Sequence, residues 1–297
     1  MNSTLKKKLH DSLVEVIRKT SAELPDDAFE SIEAGRKSEV TGSSAKYAMD
    51  IICDNVGIAK RKSQPLCQDT GTVLFYIHFP AKTDYDALQA LIRKAVVTAT
   101  KRGYLRQNSV DSITGKNSGN NIGPGAPVIH AEPWKKDFFE IKLMLKGGGC
   151  ENVGAQYSLP DSRVGAGRDL QGVEKCVLDA VQNAQGKGCG PGILGVCIGG
   201  DRGTGYSASK EQFLRKIGDK NKNPALAELE ERITREANQL GIGPMGFGGK
   251  TTLLATKITA LNRVPASFFV SVSYMCWAFR RQGAKVSGKG EIQKWLY

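Results

Sequence analysis

Three cysteines in this sequence stand at the ends of apolar runs. Cys67 lies in Leu66-Cys67-Gln68-Asp69-Thr70-Gly71, between Ser63-Gln64-Pro65 and the run Thr72-Val73-Leu74-Phe75-Tyr76-Ile77. Cys189 lies in Gly188-Cys189-Gly190-Pro191-Gly192, ahead of a run from Ile193 to Ile198. Cys276 closes the run from Phe268 to Met275 and precedes Trp277-Ala278-Phe279-Arg280-Arg281. Short runs rich in β-branched and aromatic residues, bounded by Gly and Pro, read as strands. Three thiols at the ends of three core strands are placed to converge on one point, and their long separations exclude the local Cys-x-x-Cys signatures of zinc ribbons, ferredoxins and thioredoxins. Asp69 is tethered two positions from Cys67; by position alone it reads as a turn residue or a cap.

The elements that position these residues follow from periodicity. Leu5, Leu9, Leu13, Val16 and Ile17 predict a helix over 3–20. Further helices are expected at about 26–34 and over 43–57, followed by a basic loop from Lys60 to Pro65. After the strand at 72–79, Asp84 is a plausible cap for a helix carrying Leu88, Leu91, Ile92 and Ala95. Arg102 to Gly125 is long, polar and glycine-rich, the kind of segment that is usually functional inside a compact chain. A strand over 138–145 ends in Gly147-Gly148-Gly149, where backbone N–H groups can approach an anion. Helices are predicted over 167–184, 209–217 and 224–240, with a short helix over 251–261, then the strand to Cys276 and a charged tail. The Gly199–Gly205 run lacks dinucleotide or P-loop spacing and reads as a strand-to-helix turn. The expected fold is α+β, one catalytic unit over 1–297 with mixed sheets surrounded by helices.

Composition narrows the class. The chain has 297 residues, 40% hydrophobic and 24% charged, and no apolar stretch of membrane-spanning length. The N-terminus is basic and amphipathic but lacks a signal core, which points to the cytoplasm. Seven cysteines, an odd number without a signal peptide, favour free thiols or metal ligands over disulfides. Cys53, Cys176 and Cys197 read as small buried hydrophobes; Cys150, after three glycines, is left open. A net charge of +12 suits nucleic acid, an anionic substrate or an acidic partner. The nucleic-acid reading, with the cysteines merely buried, is the rival from another class, but no aromatic-interleaved basic motif supports it.

The segments Cys67-Gln68-Asp69-Thr70-Gly71, Lys116-Asn117-Ser118-Gly119, Gly147-Gly148-Gly149-Cys150, Gly241-Ile242-Gly243-Pro244-Met245-Gly246 and Cys276-Trp277-Ala278-Phe279-Arg280-Arg281 occur in order across nearly the whole chain. In these segments it resembles the iron–sulfur hydro-lyases, the class I fumarases and L-tartrate dehydratase α subunits. The resemblance implies a [4Fe–4S] cluster held by Cys67, Cys189 and Cys276, with the fourth iron open as a Lewis acid toward a substrate hydroxyl. It implies Asp69 as the acid–base residue, Arg106 as a substrate-carboxylate ligand, and Gln68 and the Gly149 backbone as secondary contacts. Arg280 and Arg281 either bind substrate or neutralise the cluster's charge. The implied reaction is reversible hydration at a small 2-hydroxy dicarboxylate, fumarate/(S)-malate first, L(+)-tartrate as the alternative and mesaconate third. Two departures stand out. Val264 precedes Pro265 where many relatives carry histidine, and the chain stops at Tyr297, where single-chain class I fumarases continue. The expectation is an α subunit with a separate β partner, in an α2β2-type heteromer that binds no nucleic acid or membrane.

Overall fold

A computed structural model describes residues 1–297. In chain order the elements of the first half are α1 (Ser3–Ala22), α2 (Asp26–Ser38), α3 (Ser44–Lys62), β1 (Thr72–Pro80), α4 (Tyr85–Lys101), β2 (Val128–Trp134), β3 (Phe139–Lys146) and α5 (Gly148–Asn152). There follow β4 (Ala155–Ser158), α6 (Leu170–Ala184), β5 (Gly192–Ile198), α7 (Arg202–Glu211), α8 (Pro224–Gln239), β6 (Leu253–Ala260), β7 (Phe269–Met275), β8 (Arg281–Val286) and β9 (Ile292–Trp295). They form two compact units, both discontinuous. The first comprises Met1–Asp26, Asn55–Gly148 and Arg280–Tyr297; the second comprises Asp27–Asp54 and Gly149–Phe279.

The first unit is built on a sheet of order β2-β1-β3-β8-β9, parallel between β1 and β2 and antiparallel elsewhere. Alternate residues of β1 (Val73, Phe75, Ile77 and Phe79) enter one apolar core with the α1 stripe Leu9, Leu13, Val16 and Ile17 and the α4 residues Leu88, Ile92 and Ala95. The period of two along the strand thus meets the helical 3.6-residue period. Burial of each large side chain there contributes about 1.5–3 kcal/mol. Asn2 and Asp84 cap α1 and α4 by accepting from Leu5 N–H and Ala87 N–H, as the Asp84 signal predicted.

The second unit carries a sheet of order β4-β7-β5-β6, with β5 and β6 parallel and the other pairs antiparallel. Strand β5 is buried at every position, the expected state of a central apolar strand. Asp201 turns Gly199–Gly205 into α7 by accepting from Gly203 and Thr204 N–H, so the glycine-rich run is the strand-to-helix turn expected of it. The α+β class with mixed sheets is what the sequence predicted.

Several local expectations need correction. The helix expected over 251–261 is instead strand β6, Leu253–Ala260. Its residues Thr256, Ile258 and Thr259 favour the pleated state, and β6 pairs with β5 from Leu253 to Ala260. The charged tail is two strands, β8 and β9, with Arg281 fully buried in β8. Lys60-Arg61-Lys62 ends helix α3, where cations complement the helix C-terminus, and does not open a loop. The helix expected over 209–217 runs instead from Arg202 to Glu211, and β2 and β4 had no strong alternation to announce them.

In the second unit Arg215 pairs with Glu230 at 2.6 Å and with Asp219 at 3.0 Å, and Lys257 reaches Asp219 at 2.9 Å. Burial pushes the Asp219 carboxyl up, but hydrogen bonds and charges from Arg215 and Lys257 outweigh it and hold the group below its ordinary value. A carboxyl depressed in the folded state lends stability above its unfolded pKa and loses it as pH falls through the folded one. Urea midpoints of wild type and Asp219→Asn are therefore expected to differ at pH 7 and to converge below about pH 4. A gap unchanged by pH would show that this carboxylate carries no such linkage.

Candidate active site

In the first unit the loop between α3 and β1 is fixed at Leu66. Leu66 N–H donates to Ser21 carbonyl at 2.9 Å, and Asn55 Nδ2 donates to Leu66 carbonyl at 2.9 Å. Cys67 is half-buried, Gln68 exposed and Asp69 half-buried. The Asp69 carboxylate is held by three donors. Its Oδ1 accepts from Gly71 N–H at 2.8 Å and Asn108 Nδ2 at 2.9 Å, and its Oδ2 accepts from Gly148 N–H at 2.6 Å. A carboxylate offers about four lone-pair sites, so this grip orients the group and still leaves an acceptor position for a proton. Gly71 has φ +73°, and a Cβ there would stand 2.3 Å from Lys146 carbonyl oxygen, so only glycine fits this turn against β3.

Arg106 is brought to the same loop through its backbone. Thr70 Oγ1 donates to Arg106 carbonyl at 3.0 Å and accepts from Arg106 N–H at 2.9 Å. Asn121, which is buried, donates to Arg106 carbonyl at 2.9 Å and accepts from Asn108 N–H at 2.8 Å. The long 102–125 segment is thereby ordered around Asp69, with the Arg106 side chain exposed. A cleft of about 430 Å³ runs beside it, lined among others by Gly71, Asn108, Ser109, Asn121 and Gly148. Asn108, Asn121 and Gly148 are the residues that sequence reasoning missed. Only the polar, glycine-rich character of their segments pointed to them.

In the second unit, Cys189 has a left-handed backbone (φ 54°, ψ 57°), and its carbonyl accepts from Trp277 N–H at 3.2 Å. That bond places the Cys189 turn beside the residue following Cys276, where β5 and β7 pair through Ile193 and Met275. The turn is moulded on Tyr274. A Cβ at Gly188 or Gly192 would stand 2.5 or 2.3 Å from its ring. Burial pushes the Tyr274 phenol up, and the nearby Cys276, Cys150 and Cys189 act in the same direction. Gly149 is exposed, and so is Val264.

The remaining cysteines behave as inert thiols. Burial raises Cys176 to about 12 and Cys197 to about 11, and burial with Glu33 raises Cys53 to about 12. No group of three or more His, Cys, Asp or Glu side chains has the arrangement to hold a metal ion. A four-iron cluster poses a different requirement, because each of its thiolates binds a separate iron. Cys189 and Cys276 on adjoining backbone in the second unit, and Cys67 in a fixed turn of the first, are donors of the right chemistry for it.

Residues 10–285 match the family model described as fumarate hydratase (Fumerase). The chain belongs to this family. A Geobacillus stearothermophilus protein provisionally named class I fumarate hydratase is 50% identical over 98% of this chain, which spans 57% of that relative's length. The Escherichia coli K12 L(+)-tartrate dehydratase subunit alpha is 31% identical over 95% of the chain and 93% of its own. A Methanocaldococcus jannaschii protein, provisionally named as the same subunit, is 32% identical over 92% and 96%. As a fumarate hydratase family member, the chain carries its Cys67–Gly71 turn, its Gly148–Cys150 turn and its Cys276 segment in ordered backbone. No helix in it is long and apolar enough to cross a membrane.

Proposed function

We propose that this chain is the α-type half of a [4Fe–4S]-dependent hydro-lyase that adds water to fumarate and removes it from (S)-malate. The observation that carries the reading is the Asp69 carboxylate, fixed by three N–H donors in the turn that also bears Cys67. Cys67, Cys189 and Cys276 would hold the cluster, which when bound supplies a Lewis acid for the substrate hydroxyl. Asp69 takes or returns the proton on the neighbouring carbon through its remaining acceptor position, and Gly71, Asn108 and Gly148 hold its orientation through the transfer. The exposed Arg106 guanidinium suits bidentate binding of a substrate carboxylate, with its backbone locked to Thr70. Gln68 and the Gly149 backbone are proposed as secondary contacts.

Two relatives carry the name of an α subunit, and that supports a β-type partner on a separate chain, in an α2β2-type assembly. The same two names favour L(+)-tartrate dehydration as the second reading; the 50% identity to the Geobacillus protein favours fumarate. The test is anaerobic purification of the chain alone and co-expressed with a candidate partner. Iron and sulfide are assayed, then turnover with fumarate, (S)-malate, L(+)-tartrate and mesaconate. About four irons per chain and reversible hydration of fumarate in the co-expressed protein are expected. Colourless, iron-free protein after anaerobic reconstitution would sink the hydro-lyase reading.

A further inference from the structure

The first unit buries three charged side chains, Lys146, Arg280 and Arg281, and all are cations; none of its carboxylates is buried. Arg280 is 1% exposed. Its Nη1 donates to the carbonyl of Asp69 at 2.6 Å, while its Nε and Nη2 are shut off from solvent without a hydrogen-bond partner. These two nitrogens form the side-on edge of the guanidinium, the edge that takes two acceptor atoms at once. A buried cation with two unsatisfied donors costs several kcal/mol unless an anion compensates it. Solvent cannot reach the edge, which argues against a substrate that arrives from water. A resident anion assembled with the protein meets no such obstacle.

We propose that Arg280 is the positioning residue and counter-charge of the iron–sulfur cluster. Nη1 holds the Cys67-Gln68-Asp69 turn by its last carbonyl, and the side-on edge donates to sulfur of the cluster on the Cys67 side. This rests on the hydro-lyase reading above and adds to it one residue, a contact and a direction of effect. Arg281 differs, because its guanidinium lies 4.0 Å from the centre of the Tyr297 ring.

The test begins with wild-type protein labelled with 15N-arginine, reconstituted anaerobically and reduced. Pulsed EPR of the cluster is expected to show coupling to an arginine nitrogen that persists in Arg106→Lys and vanishes in Arg280→Lys. In Arg280→Gln the cluster's midpoint potential should move to more negative values, since a positive charge that favoured the reduced state is gone. Iron should leave to a chelator roughly tenfold faster, the usual scale for an outer hydrogen bond to a metal centre. An iron-loaded wild type without the coupling, or coupling lost in Arg106→Lys instead, overturns the assignment. So does an Arg280→Gln protein with wild-type potential and a lower melting temperature only, since that is a merely structural role. An iron-free wild type overturns the hydro-lyase reading and this proposal with it.

Discussion

Serine at Cys189 or at Cys276 is expected to leave a folded chain that binds no iron and has lost hydratase turnover by at least about 10³-fold. The magnitude follows from the several kcal/mol that a Lewis-acidic metal contributes to a transition state. Both substitutions are nearly isosteric, and the contact of the Cys276 Sγ with Ala278 carbonyl is long, 3.9 Å, so the fold should survive. The comparison that isolates ligation from burial uses Cys176→Ser and Cys197→Ser. Those residues are fully buried, so a serine there should lower the melting temperature and leave the iron content intact. Iron analysis and melting curves on the four variants decide it. Retention of full iron by Cys276→Ser would remove that residue from the ligand set.

Asp69→Asn is the second large effect. The amide keeps one acceptor oxygen but turns an NH2 toward one of the three N–H donors, and it cannot accept a substrate proton. The kcat should fall about 10²–10⁴-fold, the range of a positioned acid–base group, with iron content unchanged. Asp69→Glu keeps the charge but moves it by a methylene away from the fixed positions of Gly71, Asn108 and Gly148. It should therefore recover little of the loss. Steady-state rates with iron measured on the same samples check both. An Asn variant within threefold of wild type would reassign Asp69 to the turn-forming role that its hydrogen bond to Gly71 N–H also explains.

Much of the fold was written in local pattern. The stripe of α1, the apolar run of β1 and the cap at Asp84 need only near neighbours in sequence to be read. Strand β6 was not legible in this way. Leu253-Leu254-Ala255 favours a helix in isolation, and pairing with β5, remote in sequence, makes it a strand. The candidate site divides along the same line. The Cys67–Gly71 turn stood out by its own residue types, while Asp69 read by position as a turn residue or a cap and took its acid–base role only from the family resemblance. The donors that hold Asp69 come from Asn108 and Gly148, and no local pattern links those positions to residue 69. Arg280 was left between two roles, because sequence says nothing about which of its nitrogens are satisfied.

The threading of the first unit bears on how the protein is made. Its sheet takes β1, β2 and β3 from the first half of the chain and β8 and β9 from the end, and α1 contributes to the same core as Ala284 and Val286 of β8. During synthesis from the N-terminus, α1 and three strands emerge and must wait while all of 149–279 is translated before their last partners appear. Strand β3 meanwhile exposes the edge that β8 will occupy, an exposure that invites pairing with another chain. Arg280, the anchor on Asp69, also follows that span in the sequence. The Cys67 turn therefore reaches its final form only once Arg280 has been made, so slowing translation within 149–279 should prolong the aggregation-prone interval more than a pause placed before β1.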